Sequence, residues 1–521
     1  MKRKTKEKKA KIKRIKFHPA LVFLTLTIVV MIISSVGGIL NIESSYYTVN
    51  TVTGELESQV ININNLFNRT GLQYLISNFL NNFISFAPLG TFILGLMGVG
   101  VAYKSGFLRT LNKKIASILS RKTLTFLVVL LGVISSMFPD VGYVIIVPLA
   151  AILFKDLGRH PSAGICAAFA GITFGHGANI VANSLDSALL PYTKSATKIL
   201  DATYKVNANG NLFFMIVSTI LISYVGYIIT ERFIIPKLGK YNFTEEEIEL
   251  RKQEPTKTEI KGLIIAIIAV IAVVIPLIYC IIYGLPFSGL LLYLKDSNYI
   301  DQLFGTNSYF YQGSVFIFSG LLMLAGLVYG LRVKTIKNNR DFVDGMNYYL
   351  KDVSSLLILI FFCAQFCLIF KQTNLGVFIV SFLMNLISNL ELTGIVLVLV
   401  TFFLTLISTI LVPASSTKWA MLAPIIVPKF MQSSLTPEFA MAVFRAGDSA
   451  IKGITPLFTY FVILIGFLQI YNNKKNDTIT ISRAVSLMTP YTIAFTVLWL
   501  AIVIIFFFLG IPIGINTNVT L

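Results

Sequence analysis

The sequence is poor in charge. Asp, Glu, Lys and Arg make up only 13% of its 521 residues, about half of what a soluble domain carries. A chain with so little charge cannot clothe itself in water. That excludes a soluble enzyme, a soluble nucleic-acid binder and a disordered segment. Histidine occurs three times and cysteine four times, at Cys166, Cys280, Cys363 and Cys367, all in apolar stretches. Cys363 and Cys367 stand one helical turn apart with no histidine or carboxylate beside them, so they read as small buried hydrophobes and not as metal ligands. No P-loop, His-x-x-Glu-His, Cys-x-x-Cys or Ser-His-Asp grouping occurs. The missing P-loop argues against an ATP-driven pump within this chain, and the missing nucleophile and metal sets argue against an intramembrane enzyme.

What the chain does have is apolar length. Hydrophobic residues are 55% of the total and mean hydropathy is +0.78. Runs such as 262–283 are unbroken. A helical span needs about 20 such residues, whereas a barrel strand would alternate. The reading is an all-α polytopic membrane protein whose surroundings are the lipid bilayer, with no nucleic acid as partner. The net charge of +19 is unevenly placed, because ten of the first 16 residues are Lys or Arg and only Glu7 opposes them. A basic block just before a hydrophobic span places the N-terminus in the cytoplasm and suits an anionic lipid surface. The segment that follows lacks a small-residue cleavage site and runs past signal-peptide length, so it reads as an uncleaved first span.

The expected layout is about nine transmembrane helices plus two re-entrant hairpins in an inverted-topology repeat. Residues 1–18 form a basic cytoplasmic tail. The first half, 19–234, holds a span at about 19–40, a polar segment at 41–70 and an apolar stretch at about 73–103. It continues with an inside-entering hairpin at about 123–154, tipped by Phe138-Pro139-Asp140-Val141-Gly142, a Gly-interrupted crossing at about 161–190 and a span at about 212–234. A cytoplasmic loop, 235–259, leads to the second half, 260–521. There, spans at about 260–284, 313–331 and 352–372 and a near-surface apolar helix at about 376–390 precede an outside-entering hairpin at about 393–428. A broken crossing at about 437–470 and a last span at about 487–510 complete it. The repeat rests on spacing: Pro148 is followed by Pro161 and Gly171 at the same intervals that separate Pro424 from Pro437 and Gly447. Interrupted segments at matching places in two halves point to the binding site of a secondary transporter.

Polar residues inside these segments are the functional candidates, since an intramembrane charge is costly. Arg445, Asp448 and Lys452 share one helical face. They are either an internal ion pair tying two helices together or a face that binds anions and relays protons. Asp186 is either a helix-end carboxylate facing water or a second membrane carboxylate. Asp140 is placed to cap the second half-helix of its hairpin. Ser415, Ser416 and Thr417 bring hydroxyls to the other tip, where half-helix N-termini favour anions. Trp419 beside them can stack on an aromatic ligand or anchor at the membrane interface. His176 reads as a packed neutral histidine or a proton relay.

At these residues the chain resembles the p-aminobenzoyl-glutamate (AbgT) transporter family. The resemblance is carried by Ser-Thr-Lys-Trp-Ala-Met-Leu-Ala-Pro-Ile-Ile-Val-Pro (416–428), Arg-Ala-Gly-Asp-Ser (445–449) and Ile-Thr-Pro (454–456). Phe-Ala-Pro-Leu-Gly-Thr (86–91), Gly-Val-Gly-Val-Ala (98–102), Leu-Gly-Arg-His-Pro (157–161), Ala-Phe-Ala-Gly (168–171) and Ala-Asn (178–179) add to it. It implies a homodimeric inner-membrane carrier of p-aminobenzoyl-glutamate or related antifolate-like anions, with sulfonamide export in some members. It implies substrate binding by Ser416, Trp419, Pro437 and Arg445, and ion coupling through Asp186 and Asp448. Asn179, Ser415, Thr409 and Lys452 are secondary candidates. The chain departs from the family pattern at Thr409 (Asn in the pattern), Pro413 (Gly) and Ser187 (Pro). No cofactor is expected beyond a coupling proton or sodium ion, the sodium near Asp448. A carrier of dicarboxylates or other small organic anions is the alternative, and a channel stands behind it.

Overall fold

The structure is a computed structural model that describes residues 17–49, 56–296, 298–352, 354–472 and 478–521. Most of the basic tail lies outside the described residues. Helix α1 (Pro19–Ile39) starts with Pro19 at its first position, where the missing N–H costs nothing, and His18 caps it. Two antiparallel strands follow, β1 (Glu43–Val49) and β2 (Leu56–Asn62), paired from Glu43–Asn62 to Val49–Leu56. The sequence reading took 41–70 for a polar segment only. The strand signal it passed over is the Tyr46, Tyr47, Thr48, Val49 run, whose residues suit a half-buried pleated surface.

Next come α2 (Arg69–Ile84), α3 (Ala87–Lys104), α4 (Phe107–Ile118) and α5 (Arg121–Ser135). After a break at 136–138, residues 139–156 form a helix with a π turn at Gly142–Ile146 and end as α6 (Val147–Asp156). The broken crossing is α7 (Pro161–Phe174) and α8 (Ser184–Thr197), followed by α9 (Leu212–Ile229), which continues to Leu238. The second half has α10 (Lys257–Ile281), α11 (Ser314–Val333), α12 (Ser354–Gln372), α13 (Leu375–Ser388), α14 (Gly394–Leu411), α15 (Ser415–Gln432), α16 (Pro437–Ile451), α17 (Phe461–Ile470) and α18 (Ile481–Leu509). Among the described residues seven helices are long and apolar enough to cross a membrane, and α12 with α13, bent by 44°, makes an eighth. By length and composition α14 is among the seven, and α7 and α17 are too short to span alone.

The two helix breaks, after Phe138 and after Val412, have the same cause. Phe138 precedes Pro139 and Val412 precedes Pro413, and a residue before proline is pushed out of the helical region. Phe138 has φ −127°, ψ 78° and Val412 φ −126°, ψ 84°. The repeat legible in Pro148–Pro161–Gly171 and Pro424–Pro437–Gly447 recurs in the packing. A Cβ on Gly171 would stand 2.5 Å from the Val129 carbonyl of α5, and one on Gly447 2.6 Å from the Phe402 carbonyl of α14, so in both halves glycine lets two backbones touch. Asn179 Nδ2 donates to the Ile134 carbonyl (3.3 Å) and Thr455 Oγ1 to the Ile410 carbonyl (2.8 Å), each across 45 residues of chain. Each bond ties the broken crossing to the hairpin arm before it.

His160, in the loop between α6 and α7, caps α7 by accepting the Ser162 N–H on Nδ1 at 3.2 Å. Burial, helped by nearby Arg483, pushes its pKa down to about 4. An unfolded histidine takes a proton near pH 6.5. Its stabilising contribution is therefore whole above about pH 6.5 and is lost as pH falls toward 4. Thermal unfolding in detergent should show wild type losing stability across that window and His160→Asn, which keeps a capping oxygen, losing less. Parallel pH profiles would contradict this.

Candidate functional site

Two buried ion clusters sit at the breaks. The first joins the repeats. Arg445 on α16 is fully buried and reaches across to Asp186 on α8, pairing with Oδ1 through Nη1 and with Oδ2 through Nη2 at 3.4 Å. Its Nε donates to the Gly177 carbonyl at 3.1 Å, inside the break of the first crossing. Asp186 Oδ2 also accepts the Asn183 N–H at 2.9 Å, closing a capping box at the start of α8. Asp186 is therefore no water-facing helix end: it is 1% exposed. Asn179 lies in the same break and also donates to Ser136 Oγ of the first tip at 3.3 Å.

The second cluster lies within the second repeat. Asp448 is fully buried between two ammonium groups. Lys418, one turn into α15, pairs with Oδ1, and Lys452, one turn beyond on the same face, pairs with Oδ2 at 2.8 Å. Ser415 Oγ donates to Oδ2 at 2.7 Å, and Thr409 Oγ1 stands 3.3 Å from Oδ1. The lysines complete the ring, Lys418 Nζ donating to Thr409 Oγ1 at 2.7 Å and Lys452 Nζ to Ser415 Oγ at 2.8 Å.

The expected face of Arg445, Asp448 and Lys452 is thus divided. Asp448 and Lys452 meet, but Arg445 pairs with Asp186 instead. The side-chain direction of a helix decides this: Arg445 stands three residues before Asp448 and leans toward the first repeat, where Asp186 waits. Lys418 was not among the residues singled out from sequence. Its signal was a lone lysine one turn inside an apolar hairpin, itself the mark of a functional position. Asp140 does not cap its half-helix. Phe138 holds the cap position, and the Asp140 carboxylate accepts the Tyr460 hydroxyl instead. Trp419 neither faces a membrane interface nor lies open to a ligand. It is fully buried, packed on Phe444 at 4.6 Å, and its indole N–H donates to Thr193 Oγ1 of α8 at 2.8 Å. Ser416 is half-buried at the same tip. Pro437 opens α16, eight residues before Arg445, about 12 Å along the helix, and so lies apart from both clusters. His176 stands within electrostatic reach of Lys452, Asp448, Arg445 and Lys418.

The Trp419–Thr193 bond ties α15 to the other repeat's broken crossing. Trp419→Phe and Thr193→Val should each cost about 0.5–1.5 kcal/mol, and the double variant no more than either. Unfolding measurements on the four proteins give this coupling directly, and additive losses would contradict it.

A family model for AbgT transporters matches residues 13–521. The chain belongs to the AbgT transporter family. It is a multi-pass membrane transporter and not an enzyme. It is 29% identical to the p-aminobenzoyl-glutamate transport protein of Escherichia coli (strain K12) over 95% of this chain and 93% of the relative. Among solved structures it is similar to the YdaH transporter of Alcanivorax borkumensis, with a TM-score of 0.48 and 28% identity over 96% of this chain and 100% of that one. It is also similar to MtrF of Neisseria gonorrhoeae, described as illuminating a class of antimetabolite efflux pumps, with a TM-score of 0.49 and 32% identity over 97% of this chain and 98% of that one.

Proposed function

We propose that this AbgT transporter is a secondary active carrier of p-aminobenzoyl-glutamate or a related aromatic organic anion, driven by a proton gradient. The observation that carries the anion is the charge at the breaks. Arg445, Lys418 and Lys452 face Asp186 and Asp448, with both lysines sharing Asp448, so the two clusters carry one surplus positive charge. A carboxylate substrate balances it. A cavity of about 340 Å³ adjoins the second tip, lined by Phe370, Val377, Leu411, Thr417 and Phe458. Its size falls in the range of small-ligand sites, and its aromatic walls favour a substrate with a ring over an aliphatic dicarboxylate. The substrate named for the Escherichia coli relative has both the ring and the carboxylates.

The same geometry supports a proton over a sodium ion as the coupling ion. A sodium ion near Asp448 would use its carboxylate oxygens with the Thr409 and Ser415 hydroxyls, the hard oxygen donors such an ion prefers. Each of those oxygens is in contact with Lys418 or Lys452. Two ammonium groups against one carboxylate do not fit a further cation at Asp448, which favours the proton. Saturable counterflow of labelled p-aminobenzoyl-glutamate in proteoliposomes tests the substrate class. Unlabelled p-aminobenzoyl-glutamate should compete strongly and succinate weakly; the reverse order would favour the dicarboxylate reading.

The same reading makes the carrier a homodimer of the inner membrane with its N-terminus in the cytoplasm. Cysteines placed in 235–259 and 332–340 should be labelled from inside only, and those in 41–70 and 285–312 from outside only. Reversed labelling of any one loop would contradict the inverted arrangement.

A further inference from the structure

The two tips carry different chemistry at matching positions. Asp140 stands eight residues before Pro148, as Ser416 stands eight before Pro424, and Tyr143 matches Trp419 in the same way. Both aromatics reach a phenylalanine of the next helix, Tyr143 to Phe169 at 5.3 Å and Trp419 to Phe444 at 4.6 Å. Both tips also clasp the other repeat. Trp419 holds α8, and Asp140 accepts the hydroxyl of Tyr460, in the segment joining α16 to α17. Tyr460 is stacked on Tyr143 at 4.3 Å and 15°, and Tyr143 shares a hydrogen bond with Thr173 at 3.0 Å.

The carboxylates at the tips and breaks are not alike. Asp186 has Arg445, and Asp448 has Lys418 and Lys452. Asp140 has no cationic partner among the described residues. The titratable groups that face it are Tyr460 from the second repeat, Tyr143 from its own segment and Tyr311 from the short helix Tyr309–Gln312. Helices α3 and α11 pack against the tip, but their titratable groups, Tyr103, Lys104, Tyr329 and Arg332, lie at their far ends. Glu438, at the start of α16, is held by the Tyr204 hydroxyl at 2.8 Å and the Asn207 N–H at 2.7 Å, away from the tips. Asp140 is partly buried but not sealed off from solvent, so a proton can reach it.

We propose that Asp140, clasped by Tyr460 across the two repeats, is the proton-binding group of the transport cycle; this rests on the reading of the chain as a proton-coupled carrier. The carboxylate takes a proton from water on one side of the membrane, becomes a neutral acid, and returns the proton to water on the other side. An intramembrane carboxylate without a cation is costly, and protonation removes that cost. The ionised form is the stronger acceptor for the Tyr460 hydroxyl. Loading the proton therefore loosens the clasp between the first tip and the second broken crossing, and losing it tightens the clasp. That joins proton binding to movement of one repeat against the other. The second tip, with its lysines and hydroxyls, is left to hold the anion.

The test is Asp140→Asn in proteoliposomes, with p-aminobenzoyl-glutamate as substrate and a trapped pH dye reporting proton movement. Substrate-driven proton flux and gradient-driven accumulation should fall to the level of protein-free vesicles, while counterflow of the same substrate persists. Asp140→Glu should restore proton flux, and Tyr460→Phe should displace the pH profile of accumulation without abolishing it. Wild-type proton flux in Asp140→Asn would overturn the assignment. Absence of substrate-driven proton flux in wild type, with counterflow intact, would overturn proton coupling itself and this assignment with it. Should Asp140→Asn fail to fold, infrared difference spectra between low and high pH decide the matter. The carboxylic-acid carbonyl band of wild type should move in Asp140→Glu, and a band unchanged by that substitution would overturn the proposal.

Discussion

Asp186→Asn is expected to destabilise the protein by about 3–5 kcal/mol, because it strands the fully buried Arg445 guanidinium without another carboxylate partner among the described residues. Arg445 is fully buried, and among the described residues its one ion pair is with Asp186, held between Arg445 on the second repeat and α8 on the first. Arg445→Lys should lose much of the same stability although it keeps the charge. An ammonium cannot span both carboxylate oxygens and the Gly177 carbonyl as the planar guanidinium does. Removing both charges, in Asp186→Asn with Arg445→Met, should recover part of the loss, since a neutral pair leaves no unpaired charge behind. Denaturant unfolding in detergent gives all three values. A loss below about 1 kcal/mol in Asp186→Asn would mean that water reaches the pair and that it does not hold the repeats together.

Lys418→Met should do the opposite. Asp448 keeps Lys452 at 2.8 Å and the Ser415 hydroxyl at 2.7 Å, so the cluster becomes a balanced pair and stability should change little. Affinity for p-aminobenzoyl-glutamate should fall by about 2–5 kcal/mol, the usual effect of removing one buried charge that faces an opposite charge on a ligand. Calorimetric titration of the purified protein measures the affinity, and the unfolding assay checks the fold. Wild-type affinity in Lys418→Met would show that the surplus positive charge is structural.

These two variants also mark where the sequence was informative. The two helix breaks were legible because proline breaks a helix locally: Phe138 and Val412 are displaced by the next residue in the chain. The repeat was legible because close helix contact demands glycine at Gly171 and Gly447. The Asp448–Lys452 pair was legible because four residues make one helical turn. The pairing of Arg445 with Asp186 was not, since its partners lie 259 residues apart and only the packing of α16 against α8 brings them together. The role of Lys418 was not legible, since its partner Asp448 lies 30 residues away and meets it only where α15 packs on α16. The burial of Trp419 also depended on α8, whose Thr193 lies 226 residues away. The β1–β2 hairpin escaped because its strands lie in the polar stretch between apolar helices, where hydropathy carries no signal.

In the proposed proton-driven anion carrier, lysine already fills the position near Asp448 that a sodium ion would take. Accumulation of labelled p-aminobenzoyl-glutamate in proteoliposomes, under an imposed proton gradient without sodium and under an imposed sodium gradient at equal pH, tests this reading most directly. Saturable accumulation that follows the proton gradient and ignores sodium is the result expected. Accumulation that requires the sodium gradient and is unchanged by pH would contradict the account.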